Sequence, residues 1–300
     1  MKRSIKVLII FFGLAMVSGL SFLAFAAKTP PTKSQKTDSS TNTKPKNIIT
    51  SKPQATIKPK PTPSKGEKIL KTTTYTLNKV PFTMVLVEGG TFTMGSNSRE
   101  SNQAPEHDVT LSTYLMGETE VTQALWNAVM DSGNSDSNDY PIASVTKPQC
   151  DDFVKKLNEM AHAAKIIPSN INFHLPTEAQ WEFASKGGIL SEGYTYSGSN
   201  KLSEVGWTSN DGSSVHKVKQ KKPNELGLYD MSGNVYEWVA DYAGTYSSKA
   251  QTDPCNLTPS NNYIKRGGSF YYNDEYRFTS TYRYFYSSTD YTIGFRICLY

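Results

Sequence analysis

Cysteine and histidine are scarce in this 300-residue chain, which has three of the first and four of the second. No two histidines stand in an HxxxH or HxxE spacing, and the cysteines lie far apart. Because an iron site would need several such histidine ligands close together, no iron site is predicted here. An odd number of cysteines leaves one disulfide plus a free thiol as an open alternative, which the sequence cannot pair. The residues concerned are Cys150, Cys255, Cys298, His107, His162, His174 and His216.

The larger part of the chain also lacks a net positive charge. The whole chain carries a net charge of +5, but residues 1–27 contribute +3 and residues 28–68 contribute +8, which leaves −6 for residues 69–300. Nucleic-acid-binding domains show a basic footprint, so no nucleic-acid partner is expected. An acidic domain suits a cation or a polar neutral ligand instead.

The N-terminus has the features of an export signal. Lys2, Arg3 and Lys6 precede an apolar run from Val7 to Phe25, and small residues follow at Ala24-Phe25-Ala26. This pattern predicts a signal peptide over residues 1–26 and an extracytoplasmic location, whether secreted, periplasmic or at the cell surface. The run is also long enough to cross a bilayer, so an uncleaved N-terminal anchor stays open as the one route to a membrane.

Residues 27–68 have the composition of a tether. They contain ten Lys and seven Pro among Ser and Thr, with few apolar side chains. Such a segment buries too little surface to offset the entropy of ordering it, so a disordered spacer is predicted. Binding of this basic stretch to an anionic polymer is a weaker alternative. The folded domain is therefore expected over residues 69–300.

Residues 69–300 predict an irregular, loop-rich α+β domain with few short helices and strands. Gly, Asn, Ser and Pro are spread evenly, which favours loops. Thr122 and Thr177 are expected to cap helices, and Gly187-Gly188 to end one. The predicted elements are a β-hairpin at Thr83–Gly95, a strand within Val109–Thr122, and helices at Gln123–Met130, Gln149–Ala164 and Glu178–Ser185.

Two carboxylates share one face of the last of these helices. Glu178 and Glu182 lie one turn apart, a spacing that acid–base catalysis could use. Acidic residues in a first helical turn also stabilise the helix dipole, while Trp181 and its neighbours pack inward. The structural interpretation is favoured for this pair.

Five segments in register identify a family. They are FTMVLVEGGTFTMGS, GETEVTQALWNAVM, LPTEAQWEFASKGG, PNELGLYDMSGNVYEWVADY, and RGGS followed by GFR near the C-terminus. Over Phe82–Arg296 the chain resembles the formylglycine-generating enzyme, or sulfatase-modifying factor, family. The resemblance implies an irregular α+β domain related to C-type lectins.

The same resemblance implies a calcium site in DMSGNVYE. Family members bind the ion through two side chains and two backbone carbonyls, which correspond here to Asp230, Glu237, Gly233 and Val235. Calcium prefers several oxygen ligands from a curled backbone, and extracellular calcium is abundant. The alternative is that the two carboxylates are ordinary hydrogen-bond acceptors in a compact loop.

Catalysis is where the resemblance fails. The family's oxidases bind copper through a C-x4-C pair that begins three residues after GGS, and a soft thiolate pair is what copper(I) requires. Tyr272 and Arg277 stand at those positions here. No copper is expected, and an enzymatic role is disfavoured but left open. A related iron-dependent branch uses a histidine triad outside the region of resemblance, and the histidines present do not supply it.

The segment between RGGS and GFR, Phe270 to Thr292, has 10 aromatic residues among 23. Tyr mixed with small polar residues is typical of binding loops. The segment resembles the region that a diversity-generating retroelement varies in some exported, non-catalytic family members. We therefore predict an extracellular protein or glycan ligand, with packing of the tyrosines against the domain and a divergent oxidase as alternatives. The predicted contact residues are Tyr271, Tyr272, Asn273, Asp274, Tyr276, Arg277, Tyr282, Arg283, Tyr284, Tyr286, Asp290 and Tyr291.

Overall fold

The computed structural model describes residues 71–132 and 138–300, so the predicted signal peptide and tether lie outside the described residues. Within them no helix has both the length and the hydropathy to span a bilayer. The α-helices are α1 (Gln123–Met130), α2 (Lys147–Ala163), α3 (Glu178–Ser185) and α4 (Leu202–Val205). The strands are β1 (Thr72–Leu77), β2 (Val80–Val87), β3 (Gly90–Met94), β4 (His107–Leu111), β5 (Tyr114–Gly117), β6 (Phe173–His174), β7 (Tyr236–Tyr242), β8 (Gln251–Thr252), β9 (Tyr263–Arg266), β10 (Arg283–Tyr286), β11 (Ile293–Phe295) and β12 (Cys298–Leu299).

The strands form three small sheets. The first has the order β1-β2-β5-β12-β6, the second β10-β9-β7-β11, and the third β3-β4-β8. Pairing is antiparallel except for β7 with β11 and β4 with β8. Few short helices and long connections complete an α+β domain, as predicted. The final strand is internal to the first sheet, so Cys298 and Leu299 are part of the core.

The predicted hairpin at Thr83–Gly95 is wrong in its pairing. Two strands form there, but β2 pairs with β1 and β5, whereas β3 pairs with β4. Gly89 makes the step between sheets, where a Cβ atom would lie 2.4 Å from the carbonyl oxygen of Leu111. Because another backbone passes so close, only glycine fits. The predicted strand within Val109–Thr122 is likewise divided between β4 and β5.

The helices begin where their caps predict. Thr122 and Thr177 accept hydrogen bonds from the third residue of α1 and α3, and both helices have the predicted bounds. Helix α2 begins two residues before its predicted start, because Thr146 and Gln149 form a capping box ahead of it. The residues of α3 are all buried, so this short helix is the centre of the domain rather than a surface element.

Two apolar clusters lie on either side of the second sheet's strand β7. One joins α1 and α2 to the strands through a stack of Trp126 on Phe153, with Phe295 edge-on to both. The other surrounds Trp181 of α3 and reaches Val239. Alternate residues of β7 thus contribute to both clusters, which is why neither Trp238 nor Val239 is exposed.

The RGGS motif makes the turn that immediately precedes the Tyr-rich segment, residues 270–292. Gly267 and Gly268 both have positive φ, at +94° and +79°. A Cβ atom on Gly268 would lie 2.6 Å from a ring carbon of Phe278, which is fully buried. The motif therefore needs glycine for its backbone conformation and for the close approach of an aromatic ring.

Substitution of Gly268 by Ala separates these two requirements. Gly193 has a similar φ of +74° but no atom within 4 Å of the added Cβ, so Gly193→Ala measures the backbone cost alone. We expect Gly193→Ala to lower the unfolding free energy by about 1–2 kcal/mol. Gly268→Ala should cost about 1–3 kcal/mol more, because of overpacking against Phe278. Equal losses in urea denaturation would show that the ring moves freely aside.

Candidate functional site: a tyrosine-rich surface

The Tyr-rich segment, residues 270–292, follows an irregular path between two fixed ends. After the RGGS turn it forms a 3-10 helix at Glu275–Phe278, then returns as β10 along β9. It ends where β11 enters the second sheet beside β7. Phe278 packs under the segment against Leu202 and Val205 of α4, so the loop has a small core of its own.

Exposure divides the twelve predicted contact residues into three groups. Six are exposed, and they include Tyr271 at 52%, Tyr284 at 40% and Tyr291 at 54%. The exposed group is Tyr271, Asn273, Asp274, Tyr276, Tyr284 and Tyr291. The half-buried group is Tyr272, Arg277, Tyr286 and Asp290. The exposed and half-buried groups together contain ten residues, which we call the Tyr-rich face.

Tyr282 and Arg283 form the third group and correct the prediction that all twelve are displayed. Both are buried, at 1% and 2% exposure. Arg283 donates from Nε to Oε1 of Glu178 at 2.8 Å and from Nη2 to Oε2 at 2.7 Å. Its remaining hydrogen bonds go to the carbonyls of Asn102 and Gly244. A guanidinium with this set of partners fixes the middle of the segment to the interior.

Glu178 and Glu182 have the structural role that was favoured for them. Glu182 Oε2 accepts from Arg266 Nη2 at 2.6 Å, and Glu178 accepts from both Arg266 and Arg283. Burial opposes the ionisation of Glu182, but Lys186 and Arg266 lower its pKa to about 2. The carboxylates therefore connect α3 to the RGGS motif and to the Tyr-rich segment.

The two positions expected to replace the family's copper-binding cysteines lie against each other. The Arg277 guanidinium carbon is 4.5 Å from the centroid of the Tyr272 ring. Arg277 Nη1 donates to the Tyr282 hydroxyl at 3.1 Å, and Nε donates to Asp274 at 2.9 Å. This cluster is a cation–π contact with two hydrogen bonds, which together restrict the orientation of the Arg277 side chain.

Lys265 packs against the inner side of the tyrosine rings, and it was not among the residues predicted from the sequence. The side chain is 3% exposed, and its Nζ lies 4.2 Å from the ring centroid of Tyr286 and 4.3 Å from that of Tyr236. Burial lowers its pKa, while Asp290 at 3.4 Å acts in the opposite direction. The sequence feature that could have pointed to Lys265 is its position on strand β9, directly before the RGGS motif.

The three cysteines are free thiols, so the disulfide alternative is not realised. Cys150 and Cys298 are buried, and burial raises the pKa of both thiols well above the ordinary value. Cys255 is exposed, yet burial of its thiol and the adjacent Asp241 raise its pKa to about 12. A thiol that stays protonated is a poor nucleophile and metal ligand. His107 is buried at the start of β4.

The segment predicted to bind calcium is buried and only partly matches that role. Glu237 accepts from Arg296 with both oxygens at 2.7 Å and from Trp181 Nε1 at 2.8 Å. Asp230 accepts from the Lys219 amide through Oδ2, whereas its buried Oδ1 has no hydrogen-bond partner. Burial raises the pKa of Asp230 to about 6. Among residues 71–132 and 138–300, no group of three His, Cys, Asp or Glu side chains is arranged around a metal position.

The fold and the position of the Tyr-rich segment define an irregular α+β domain with its C-terminal segment held between buried ion pairs. The chain belongs to the Sulfatase-modifying factor enzyme 1-like domain family, whose model matches residues 72–299. This confirms the resemblance identified from the motifs.

Three relatives illustrate the range of the family. The solved Treponema denticola variable protein 1 is 30% identical, with a TM-score of 0.67, over 76% of this chain and 98% of that one. "Chaperone protein LppX" of Paenibacillus barcinonensis is 33% identical over 53% of this chain and 71% of that protein. The formylglycine-generating enzyme of Streptomyces coelicolor is 35% identical, but over 34% of this chain and only 37% of the enzyme. The chain thus spans well under half of that enzyme's length.

Substitution of two arginines in the Tyr-rich segment tests which of them stabilises the fold. Arg283→Leu should lower the unfolding free energy by about 3–5 kcal/mol, because it breaks a buried ion pair with Glu178. Arg277→Leu is the matched control, since its ion pair with Asp274 is partly exposed and worth about 1 kcal/mol or less. Chemical denaturation measures both. Similar losses for the two variants would contradict the assignment of Arg283 to the interior.

Proposed function

We propose that the protein is an exported recognition protein that binds an extracellular protein or glycan through the Tyr-rich face, without oxidase chemistry. The observation that carries the proposal is the separation of the segment into buried anchors and exposed tyrosines. Ring edges and faces of Tyr271, Tyr276, Tyr284 and Tyr291 are open to solvent beside Asn273 and Asp274. Large rings next to small polar groups are the composition of interface hot spots.

Packing among the exposed rings favours a surface for a large ligand. Tyr271 lies edge-on to both Tyr272 and Tyr291, at centroid distances of 5.2 and 5.6 Å. Neighbouring rings restrict one another's rotation, so less entropy is lost when a ligand covers them. An extended patch of this kind suits a protein surface or an oligosaccharide better than a small molecule enclosed in a cavity.

The charge and the N-terminus support the remaining parts of the proposal. The acidic balance of residues 69–300 disfavours nucleic acid. The signal-like residues 1–26 and the Lys- and Pro-rich residues 27–68 suit export followed by display away from a surface. The name of the Treponema relative, a variable protein, is consistent with the exposed positions of the segment being free to change while Arg283 and Phe278 are not.

A double substitution tests the Tyr-rich face. Tyr271→Ser with Tyr291→Ser should weaken binding to any ligand of the native protein by at least about 2 kcal/mol, because two exposed aromatic contacts are removed. Tyr300→Ser is the control, since Tyr300 is 64% exposed but lies outside the segment. Binding is measured on immobilised glycans and extracellular proteins, by interferometry. Unchanged affinity of the double variant would contradict the proposal, as would stoichiometric copper together with oxidation of a cysteine-containing peptide.

We also propose that the 230–237 loop holds a structural calcium ion. The unpaired, buried Oδ1 of Asp230 is the observation that fits it. Gly233 has a φ of +132° and Asn234 a φ of +60°, so the loop is tightly curled, as calcium loops are. The carbonyls of Gly233 and Val235 would complete the set, with Glu237 shared with Arg296.

Calcium should therefore stabilise the protein through Asp230. At a free concentration about 100 times Kd, we expect calcium to raise the Tm by about 5–10 °C. Asp230→Ala should abolish this increase, because it removes the one carboxylate of the set that no arginine neutralises. Differential scanning calorimetry with calcium and with chelator measures the effect. A Tm that does not respond to calcium would remove the assignment.

A further inference from the structure

A polar cleft beside the Tyr-rich face has no part in the functions described above. Its volume is about 360 Å³, and it lies between α4, the 3-10 helix at Ser209–Asp211 and residues 273–275. Sites for small molecules have volumes of about 300–1,000 Å³, so this cleft is at the lower end of the range. It therefore suits a small molecule or a single unit of a larger ligand.

Hydrogen bonds join this cleft to the Tyr-rich segment. The amide of Ser209 donates to the carbonyl of Tyr272 at 2.9 Å. On the other wall, the Tyr196 hydroxyl donates to Oε2 of Glu275 at 3.2 Å, and the Tyr196 ring is part of the small core beneath the segment. Asn273 lines the cleft and also belongs to the Tyr-rich face. The cleft and the face are therefore one continuous surface on a fixed base.

The charged side chains that line the cleft already have partners. Asp211 pairs with Lys221 at 3.0 Å, and Glu275 accepts the hydroxyl hydrogen bond given above. Lys201 Nζ lies 4.0 Å from a carboxylate oxygen of Glu204. A charged ligand would have to compete with these partners, whereas a neutral one leaves them in place. The charge pattern of the lining therefore favours a ligand without net charge.

The groups that remain free in the cleft are two amides and a hydroxyl. Within residues 71–132 and 138–300, no hydrogen bond engages the side chains of Ser203, Asn210 and Asn273, and all three residues are exposed. An Asn amide offers two donors and an acceptor, and a Ser hydroxyl both donates and accepts. A sugar hydroxyl is likewise a donor and an acceptor at once, so it can match each of these groups. The lining thus has the chemistry that binds a neutral saccharide.

We propose that this cleft binds one neutral sugar unit of a glycan whose remaining units lie across the Tyr-rich face. The inference rests on the recognition role proposed above, and it selects a neutral glycan over a protein as the ligand. Ser203 and Asn210 hold the sugar from outside the Tyr-rich segment, and Asn273 holds it from within. The exposed tyrosines contact the neighbouring units of the same glycan.

The decisive experiment uses Ser203→Ala, Asn210→Ala and the double variant, with Asn172→Ala as the matched control. Asn172 is exposed and lies outside the cleft, before β6. The probes are neutral oligosaccharides of hexose and N-acetylhexosamine units, first immobilised for screening and then titrated by calorimetry. Each cleft substitution should weaken binding about three- to tenfold, the loss expected for one neutral hydrogen bond, whereas Asn172→Ala should bind as the native protein does. Both cleft side chains are free, so Tm should not change.

Amide hydrogen exchange gives a second readout, which locates the bound glycan. In the native protein a bound neutral oligosaccharide should slow exchange in residues 200–211 as well as in residues 271–277. This pattern is expected because the two stretches form the opposite walls of the cleft. Protection confined to residues 271–277 would place the glycan on the face alone and would overturn the role of the cleft.

Failure of this inference can be told apart from failure of the recognition role. Glycan binding lost in Tyr271→Ser with Tyr291→Ser but unchanged in the double cleft variant would overturn the cleft and leave the Tyr-rich face standing. Binding only to proteins, or only to sialylated and sulfated glycans, would likewise overturn the cleft without contradicting the face. A native protein that binds none of these glycans and proteins would overturn both.

Discussion

Buried pairs of arginine and carboxylate are the interaction on which the rest of this domain depends. Glu178 and Glu182 on α3 hold Arg266 and Arg283, and Glu237 on β7 holds Arg296. These three arginines come from RGGS, from the middle of the Tyr-rich segment and from GFR. A domain with short strands and long loops has few ladder hydrogen bonds to position its connections. Bidentate ion pairs supply that geometry where regular structure does not.

Such ion pairs determine the path of the loops more than they stabilise the fold. Removing one partner of a buried pair is costly, yet the intact pair itself contributes little net free energy, because both ions lose their hydration. Their value here is that they fix the register of the loops, because each arginine reaches its own set of oxygens. The apolar clusters around Trp181 and Phe153 supply the favourable free energy of folding, and the ion pairs select the path of the loops.

The parts of the structure set by local chemistry were predictable. Helix boundaries followed Thr122 and Thr177, whose caps act within one turn. Pairing of β3 was not predictable, because its partner is chosen by a backbone approach at Gly89 that no local pattern reports. The Tyr-rich segment posed the same difficulty. Composition showed that it is unusual, but Arg283 and Arg277 look alike in sequence, and only the distant Glu178 makes one of them interior.

Arg283 divides the segment into two short loops that are each fixed at both ends. Residues 271–277 lie between the RGGS turn and buried Phe278, whereas residues 284–291 lie between the arginine and β11. Most of the conformational entropy of these loops is therefore lost during folding rather than during association. Tyr271 of the first loop nevertheless lies edge-on to Tyr291 of the second, at a ring-centroid distance of 5.6 Å, so a side chain exchanged at either position also acts on the other loop. Under the proposed binding role, contacts of the two loops should therefore be nearly additive except at this pair of rings, where they should be coupled.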